Sequence, residues 1–153
     1  MEKIKIIEDF FKRLNVAIDS IDKKDSGIKG LDRYVINTTE SDILIGNKGE
    51  TLNAISHILK KILEKTLGEY SGQGFFIDIG DYQNKKVQEI KNKAVIFGER
   101  ARFFKKDIEM PPMSAYERMI VHSTFTDCLD ITTESFGGGP ERRVILKYKE
   151  VQT

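Results

Sequence analysis

Two glycines enclose a polar and a basic residue in the stretch Ile45-Gly46-Asn47-Lys48-Gly49-Glu50-Thr51-Leu52. Glycine has no Cβ and adopts positive φ angles at little cost, so the backbone at Gly46 and Gly49 can approach a phosphate closely. The pattern that follows is helical, and the free amides at the start of a helix attract anions. The Gly-x-x-Gly turn therefore predicts a phosphate-contacting loop, to which Lys48 adds a positive charge.

The flanks of this turn predict the fold of the first half, because a Gly-x-x-Gly match alone is weak evidence. Helical patterns cover Ile4–Leu14, Asp42–Ile45 and Leu52–Leu67. Strand-like patterns cover Asn15–Ile21, Tyr34–Thr38 and Gly74–Gly80. A polar loop is expected over Asp22–Gly30. The predicted order is helix, strand, strand, helix, turn, helix, strand.

This order, together with the turn, resembles the K-homology (KH) domain in its bacterial, type II arrangement (αββααβ), over residues 1–80. The resemblance implies that a single-stranded nucleic acid crosses the turn, with about four nucleotides held and the bases in a shallow apolar groove. By position, the nucleic-acid backbone would be held by Gly46, Asn47, Lys48 and Gly49. The groove would be lined by Ile36, Ile43, Ile45 and Leu52. Related bacterial proteins often have two basic residues inside the turn, so the single Lys48 predicts modest affinity there.

The second half contains a helix start with a polar cap. The sequence Ser114-Ala115-Tyr116-Glu117 is a Ser-x-x-Glu capping box, and it follows Pro111-Pro112, which cannot continue an earlier helix. In the helix that it starts, Arg118 and His122 are one turn apart on one face, away from the apolar Val121. An exposed pair of this kind predicts a phosphate site, formed by the guanidinium fork and a ring N–H.

The spacing in Pro112-x-x-x-Tyr116-Glu117-Arg118-x-x-x-His122 resembles the R-3-H domain, which is associated with single-stranded nucleic acids. The resemblance runs from about Tyr82 to Lys149 and implies a small α/β domain over residues 81–153. A KH domain followed by an R-3-H domain is the architecture of the Jag family, also called KhpB or EloR, whose members are bacterial cytoplasmic RNA-binding proteins. This chain departs from the family at Met119, where a second arginine is common, and it shows no counterpart of the frequent N-terminal domain and linker. We expect a partner or membrane-proximal function of that domain to be lost.

Further basic residues have two open interpretations. Arg142 and Arg143 follow a glycine-rich hairpin, and they either contact phosphate or decorate an edge strand whose Val144 and Leu146 point inward. A helix over residues 85–106 is rich in lysine and arginine, with an apolar seam formed by Val87, Ile90, Ala94, Phe97, Ala101 and Phe104. Its basic face is either simply solvated or directed toward nucleic acid.

Composition limits the class of protein. The chain has 153 residues and a net charge of +1, which is not the balance of a protein that coats duplex DNA. A single cysteine excludes an intrachain disulfide framework and fits a reducing cytosol. No apolar run approaches 18 residues, so we expect neither a signal peptide nor a membrane insertion, and a cytoplasmic location.

Catalytic and metal chemistry find little support in the sequence. Cys128 and His122 are the one nearby thiol and imidazole pair, and six helical positions would place them on different faces. Metal ligation would have to use one cysteine, two distant histidines and no ligand-spaced carboxylate pair. We therefore expect no enzyme activity, no metal and no cofactor.

The sequence as a whole predicts a two-domain α+β protein that binds single-stranded RNA, with single-stranded DNA as an alternative ligand. The family resemblance implies a post-transcriptional regulator or RNA chaperone. It also implies a homodimer, or a heterodimer with a small KH-only protein. The rival interpretation is a protein–protein adaptor that uses KH dimerisation and has little affinity for RNA.

Overall fold

The fold is taken from a computed structural model that describes residues 2–68 and 74–152. The chain forms two compact units, Met1–Lys85 and Lys86–Thr153, here called the N-terminal and C-terminal units. Both units combine helices with a three-stranded sheet, so the predicted α+β class is confirmed.

The N-terminal unit has the predicted order of elements. They are α1 (Glu2–Arg13), β1 (Ser20–Asp25), β2 (Leu31–Asn37), α2 (Ser41–Ile45), a 3₁₀ turn (Asn47–Gly49), α3 (Glu50–Leu67) and β3 (Gly74–Ile79). The sheet order is β1-β2-β3, with β1 antiparallel and β3 parallel to the central β2. Its core contains residues of the helices and of the sheet, namely Ile7, Phe11, Ile21, Tyr34, Ile36, Leu44, Leu52, Ile55, Leu59, Ile77 and Ile79.

The first strand begins later than the sequence predicts. Asn15 adopts a positive φ of 58° just after α1, and the Val16 N–H donates to the Phe11 carbonyl at 3.2 Å. The left-handed Asn15 and this hydrogen bond end the helix, so the strand begins at Ser20 instead of at Asn15. The predicted loop over Asp22–Gly30 is correspondingly too long, because its first four residues belong to β1.

A buried charge anchors the end of β3. Asp78 is fully buried, and its carboxylate accepts from the Arg33 Nε at 2.9 Å and from the Gln83 N–H at 3.1 Å. Arg33 also donates to the half-exposed Asp81 at 2.8 Å. A buried carboxylate is tolerated only when it is paired and hydrogen-bonded. The ion pair with Arg33 therefore holds the end of β3 against β2. An aspartate inside the apolar run Phe75–Ile79 was the available sequence signal.

In the C-terminal unit, two helices pack on a sheet. The elements are α4 (Tyr82–Phe104), β4 (Ile108–Glu109), α5 (Ala115–Thr124), β5 (Ile131–Phe136), a 3₁₀ turn (Gly139–Glu141) and β6 (Arg143–Tyr148), with the first turn of α4 still in the N-terminal unit. The sheet order is β4-β6-β5, and both pairings are antiparallel. Its core is formed by Ala94, Ala101, Met110, Val121, Phe125, Ile131, Val144 and Leu146.

Three predictions for the C-terminal unit are wrong. Arg143 begins the central strand of this sheet, so β6 is not an edge strand. Phe104 is 60% exposed and does not belong to the apolar seam of α4. Lys105 has a φ of 52° and ends the helix, so Lys105 and Lys106 lie beyond α4. Val87, Ala94 and Ala101 are buried as predicted.

We expect Asp78→Asn to lower the free energy of unfolding by about 3 kcal/mol, because it leaves the Arg33 guanidinium without its buried counter-ion. The matched change Asp81→Asn removes a half-exposed partner of the same arginine and should cost less than about 1 kcal/mol. Urea denaturation followed by circular dichroism measures both. Equal losses in the two variants would contradict an anchoring role for Asp78.

Candidate nucleic-acid interface

The Gly-x-x-Gly turn has backbone angles that favour glycine. Gly46 and Gly49 have φ of 72° and 76°, and Lys48 between them is also left-handed at 52°. A Cβ on Gly46 would overlap the Thr51 hydroxyl, and one on Gly49 would lie 2.6 Å from the Tyr82 ring. Both positions are therefore closed to larger residues by sterics as well as by φ.

Exposure divides the predicted residues of this turn into two groups. Asn47 and Lys48 are exposed, Ile43 is 72% exposed, and Ile45 is half-buried. The remaining groove candidates, Ile36 and Leu52, are 1% and 0% exposed. Assigning them to a base-binding groove was wrong, because both side chains face the core and cannot meet a ligand.

Helix α5 begins with the predicted capping box. The Glu117 N–H donates to the Ser114 Oγ at 3.2 Å, and the Ser114 N–H donates to the Glu117 carboxylate at 2.8 Å. Two otherwise unpaired amides are thus satisfied, and the first turn is fixed. Arg118 lies one residue beyond this cap.

His122 is not the exposed phosphate ligand that the sequence predicts. Its ring is half-buried, with Nδ1 2.6 Å from the Thr133 hydroxyl and Nε2 3.0 Å from the Ser135 hydroxyl. Burial lowers the pKa of His122 below its usual 6.5, and the charge of Arg118 lowers it further. With both ring nitrogens engaged by hydroxyls of β5, the imidazole joins α5 to β5. The alternating hydroxyls of β5 were the sequence signal for this role.

Backbone bonds through Met113 link the two arginines Arg118 and Arg142. The Arg118 Nη1 donates to the Met113 carbonyl at 2.8 Å, and the Met113 N–H donates to the Arg142 carbonyl at 3.1 Å. The Arg142 Nη1 in turn donates to the Gly137 carbonyl at 2.7 Å. Both residues therefore lie at the end of the sheet where β5 leads into β6. We call Arg118 and Arg142 the arginine pair.

The arginine pair keeps its positive charge uncompensated. Neither residue forms an ion pair within residues 2–68 and 74–152, since both donate to backbone carbonyls. Arg143 differs, because its guanidinium donates to the Glu141 carboxylate at 3.0 Å. Arg102 on α4 is likewise neutralised by Asp130, whose hydrogen bonds raise the pKa of Arg102. Each guanidinium has five N–H donors, so the arginine pair retains donors for an anion.

The structure places the candidate metal ligands and the Cys128–His122 pair. Within its described residues it shows no group of three or more histidine, cysteine, aspartate or glutamate side chains that could hold a metal ion. Cys128 lies beyond the end of α5, so the helical angle used to separate it from His122 does not apply. Across the described part of the chain, no helix combines the length and apolarity needed to cross a bilayer.

Residues 85–148 match the family model of the R-3-H domain. Three curated relatives bear the name RNA-binding protein KhpB. The protein from Bacillus subtilis (strain 168) is 29% identical over 119 residues, covering 76% of this chain and 56% of the relative. The protein from Clostridium symbiosum is 25% identical over 148 residues, covering 95% and 64%. This chain is therefore similar to proteins of the Jag/KhpB family.

The third relative, from Lactiplantibacillus plantarum (strain ATCC BAA-793 / NCIMB 8826 / WCFS1), is 24% identical over 114 residues. That match covers 74% of this chain and 35% of the relative. The chain thus spans between about a third and two thirds of the length of these KhpB proteins. The R-3-H match includes the whole arginine pair and the His122 contacts with β5.

We expect the C-terminal unit to lose stability as the pH falls below about 6.5, because unfolding releases His122 from the site that lowers its pKa. The unfolded state then binds the extra proton, so the loss grows until the pH passes the folded-state pKa. The variant His122→Gln lacks this titration. Thermal unfolding at pH about 7.5 and about 5.5 should show a larger loss in the unaltered protein than in the variant. The same loss in both proteins would contradict this assignment.

Proposed function

We propose that this chain binds single-stranded RNA, and that the arginine pair is its main phosphate site. The observation that carries the proposal is the chain of bonds through Met113, which holds Arg118 and Arg142 at one end of the sheet without carboxylate partners. Two such guanidiniums suit a phosphodiester, because charge-assisted bonds from a planar fork are strong and directional. The names of the relatives, RNA-binding protein KhpB, support RNA as the ligand.

In this proposal His122 positions Arg118 and does not itself contact the RNA. Its contacts with Thr133 and Ser135 hold α5 against β5 and so orient Arg118 one turn away. Arg143 is not a phosphate ligand in this proposal, because Glu141 already neutralises it.

We further propose that residues 1–80 form a type II KH domain and that residues 81–153 form the R-3-H domain. The order of helices and strands, the two left-handed glycines and the exposed Lys48 support the KH assignment. With Ile36 and Leu52 in the core, Ile43 and Ile45 are the remaining apolar contacts for a base beside the turn. Four residues then hold the nucleic-acid backbone: Gly46, Asn47, Lys48 and Gly49.

Two modest sites on one chain raise affinity when one RNA strand engages both, since the second contact forms at high effective concentration. The proposed role is that of a bacterial cytoplasmic post-transcriptional regulator or RNA chaperone, and not of an enzyme. Self-association, or pairing with a small KH-only protein, would multiply the Gly-x-x-Gly turns available to one strand. Single-stranded DNA is the competing ligand in any binding measurement, because the phosphate chemistry is shared.

We expect Arg118→Ala combined with Arg142→Ala to weaken binding of a single-stranded RNA of about 15 nucleotides by tenfold or more. The slope of log K against log salt should also decrease, because fewer counterions are released. Arg143→Ala is the matched control, since it removes the neighbouring but neutralised guanidinium, and should leave the affinity within about twofold. Fluorescence anisotropy of labelled RNA provides the measurement.

Two outcomes would count against this assignment. Equal losses of RNA affinity in the double variant and in Arg143→Ala would contradict the assignment of the arginine pair as the main phosphate site. A stable protein assembly with no RNA affinity at low salt would favour the adaptor function over RNA binding. Analytical ultracentrifugation with and without RNA distinguishes an assembly that RNA tightens from one that is indifferent to it.

For the Gly-x-x-Gly turn we expect Lys48→Asp to weaken RNA binding severalfold, because it places a negative charge where a phosphate would lie. Aspartate tolerates the left-handed φ of this position, so the fold should be retained. Lys5→Asp on the exposed side of α1 changes the net charge equally and serves as the control. Equal effects of the two substitutions would show that net charge alone matters and would contradict a site at the turn.

A further inference from the structure

Two adjacent phenylalanines are exposed at the end of α4. Phe103 is 81% exposed and Phe104 is 60% exposed. Their rings meet edge to face, with centroids 5.0 Å apart and planes at 89°. Single exposed apolar residues are common on protein surfaces, but two neighbouring large rings with so little burial contribute almost nothing to a core. We call Phe103 and Phe104 the aromatic cluster.

Positive side chains surround the aromatic cluster. Arg100 lies three and four residues before the two rings, which places it beside them on the helix surface. It is exposed and stacks over the Phe97 ring at 5.1 Å. Lys105 and Lys106 follow immediately, where the Lys106 N–H donates to the Ala101 carbonyl at 3.2 Å and turns the chain out of the helix.

These charges are largely available to a ligand. Within the described part of the chain, Arg100 and Lys106 form no ion pair, and Lys105 has one long, exposed pair with Glu150 at 3.8 Å. Exposed pairs of this kind contribute little energy. Arg102 is the exception, because Asp130 and Glu99 hold its guanidinium. Arg100, Lys105 and Lys106 therefore supply basic groups beside the aromatic cluster, where Glu99 and Glu150 are the acidic neighbours.

We propose that the aromatic cluster is a third RNA subsite, in which bases stack on Phe103 and Phe104 and phosphates bind Arg100, Lys105 and Lys106. Exposed aromatic rings beside cations are the chemistry that binds single strands without sequence preference. The inference rests on the proposed RNA-binding function and adds a base-contacting surface to it. Lysine is depleted in the cores of protein interfaces, so the two lysines favour RNA over a docked protein.

The subsite is separate from the arginine pair. Arg102, the neighbour of Phe103, contacts Asp130 just before β5, whereas His122 contacts Ser135 near the end of that strand. At about 3.3 Å per residue, the two positions are about 17 Å apart along β5. A strand of several nucleotides is needed to reach both, so the subsite should matter more for longer RNA.

The experiment compares two double variants of the full chain. Phe103→Leu with Phe104→Leu keeps apolar surface and removes both rings, whereas Phe103→Tyr with Phe104→Tyr keeps the rings. Affinity is measured by anisotropy with a labelled, mixed-sequence single-stranded RNA of about 15 nucleotides at several salt concentrations. We expect the leucine variant to bind at least about fivefold more weakly and the tyrosine variant to bind within about twofold of the unaltered protein.

Salt dependence separates the contributions of rings and charges. The leucine variant should keep the salt slope of the unaltered protein, because it removes no phosphate contact, whereas Arg100→Ala with Lys106→Ala should reduce that slope. Circular dichroism checks that each variant is folded.

Each outcome has a definite meaning. Unchanged affinity of the leucine variant, while the arginine-pair variant loses binding, would overturn the subsite and leave the proposed function intact. An unaltered protein with no RNA affinity at low salt would overturn the proposed function, and the subsite with it. A leucine or tyrosine variant that changes self-association in ultracentrifugation but not RNA affinity would identify the aromatic cluster as a contact between proteins, which also overturns the subsite.

Discussion

The hydrogen bond from the Met113 N–H to the Arg142 carbonyl attaches the segment before α5 to the end of the sheet where the arginine pair lies. The two prolines before Met113 have no N–H to donate, and the N–H groups of Met110 and Met113 bond the segment between β4 and α5 to Val144 and Arg142. The Met110 bond to Val144 continues the sheet, and the Met113 bond places the start of α5 beside Arg142. The capping box then fixes the first turn of the helix, and the Arg118 side chain donates a hydrogen bond to the Met113 carbonyl. A change in this attachment would move the helix and the arginine together.

Four of the five arginines of the C-terminal unit are half-buried and differ mainly in their partners. Arg102 and Arg143 donate to carboxylates, which cancel their charge, whereas Arg118 and Arg142 donate to carbonyls, which orient a guanidinium and leave its charge. A sequence contains four similar residues, and only their partners separate structural arginines from those available to an anion.

Local patterns in the sequence were sufficient for the order of the elements in the N-terminal unit and for the capping box, because helix periodicity, glycine and Ser-x-x-Glu act within a few residues. They were not sufficient where the deciding partner is distant in sequence. His122 meets Thr133 and Ser135, and Asp78 meets Arg33, across 11 to 45 residues. Leu52 is a different case, because its helical spacing to Ile55 and Leu59 already indicated a core residue. It was assigned to the base-binding groove only because it lies next to the turn in the sequence.

Lys48 has consequences for the kinetics of any ligand that meets the Gly-x-x-Gly turn. It has a left-handed backbone between Gly46 and Gly49, and Thr51 and Tyr82 fill the space beside these glycines, which restricts the shapes that the turn can adopt. A loop that needs no rearrangement imposes no slow step on the encounter, and association is then limited by diffusion and by the attraction of charges. Differences in affinity among ligands at this turn should accordingly arise in how long each complex lasts. Selection among RNA sequences would take place after the encounter, through unequal residence times.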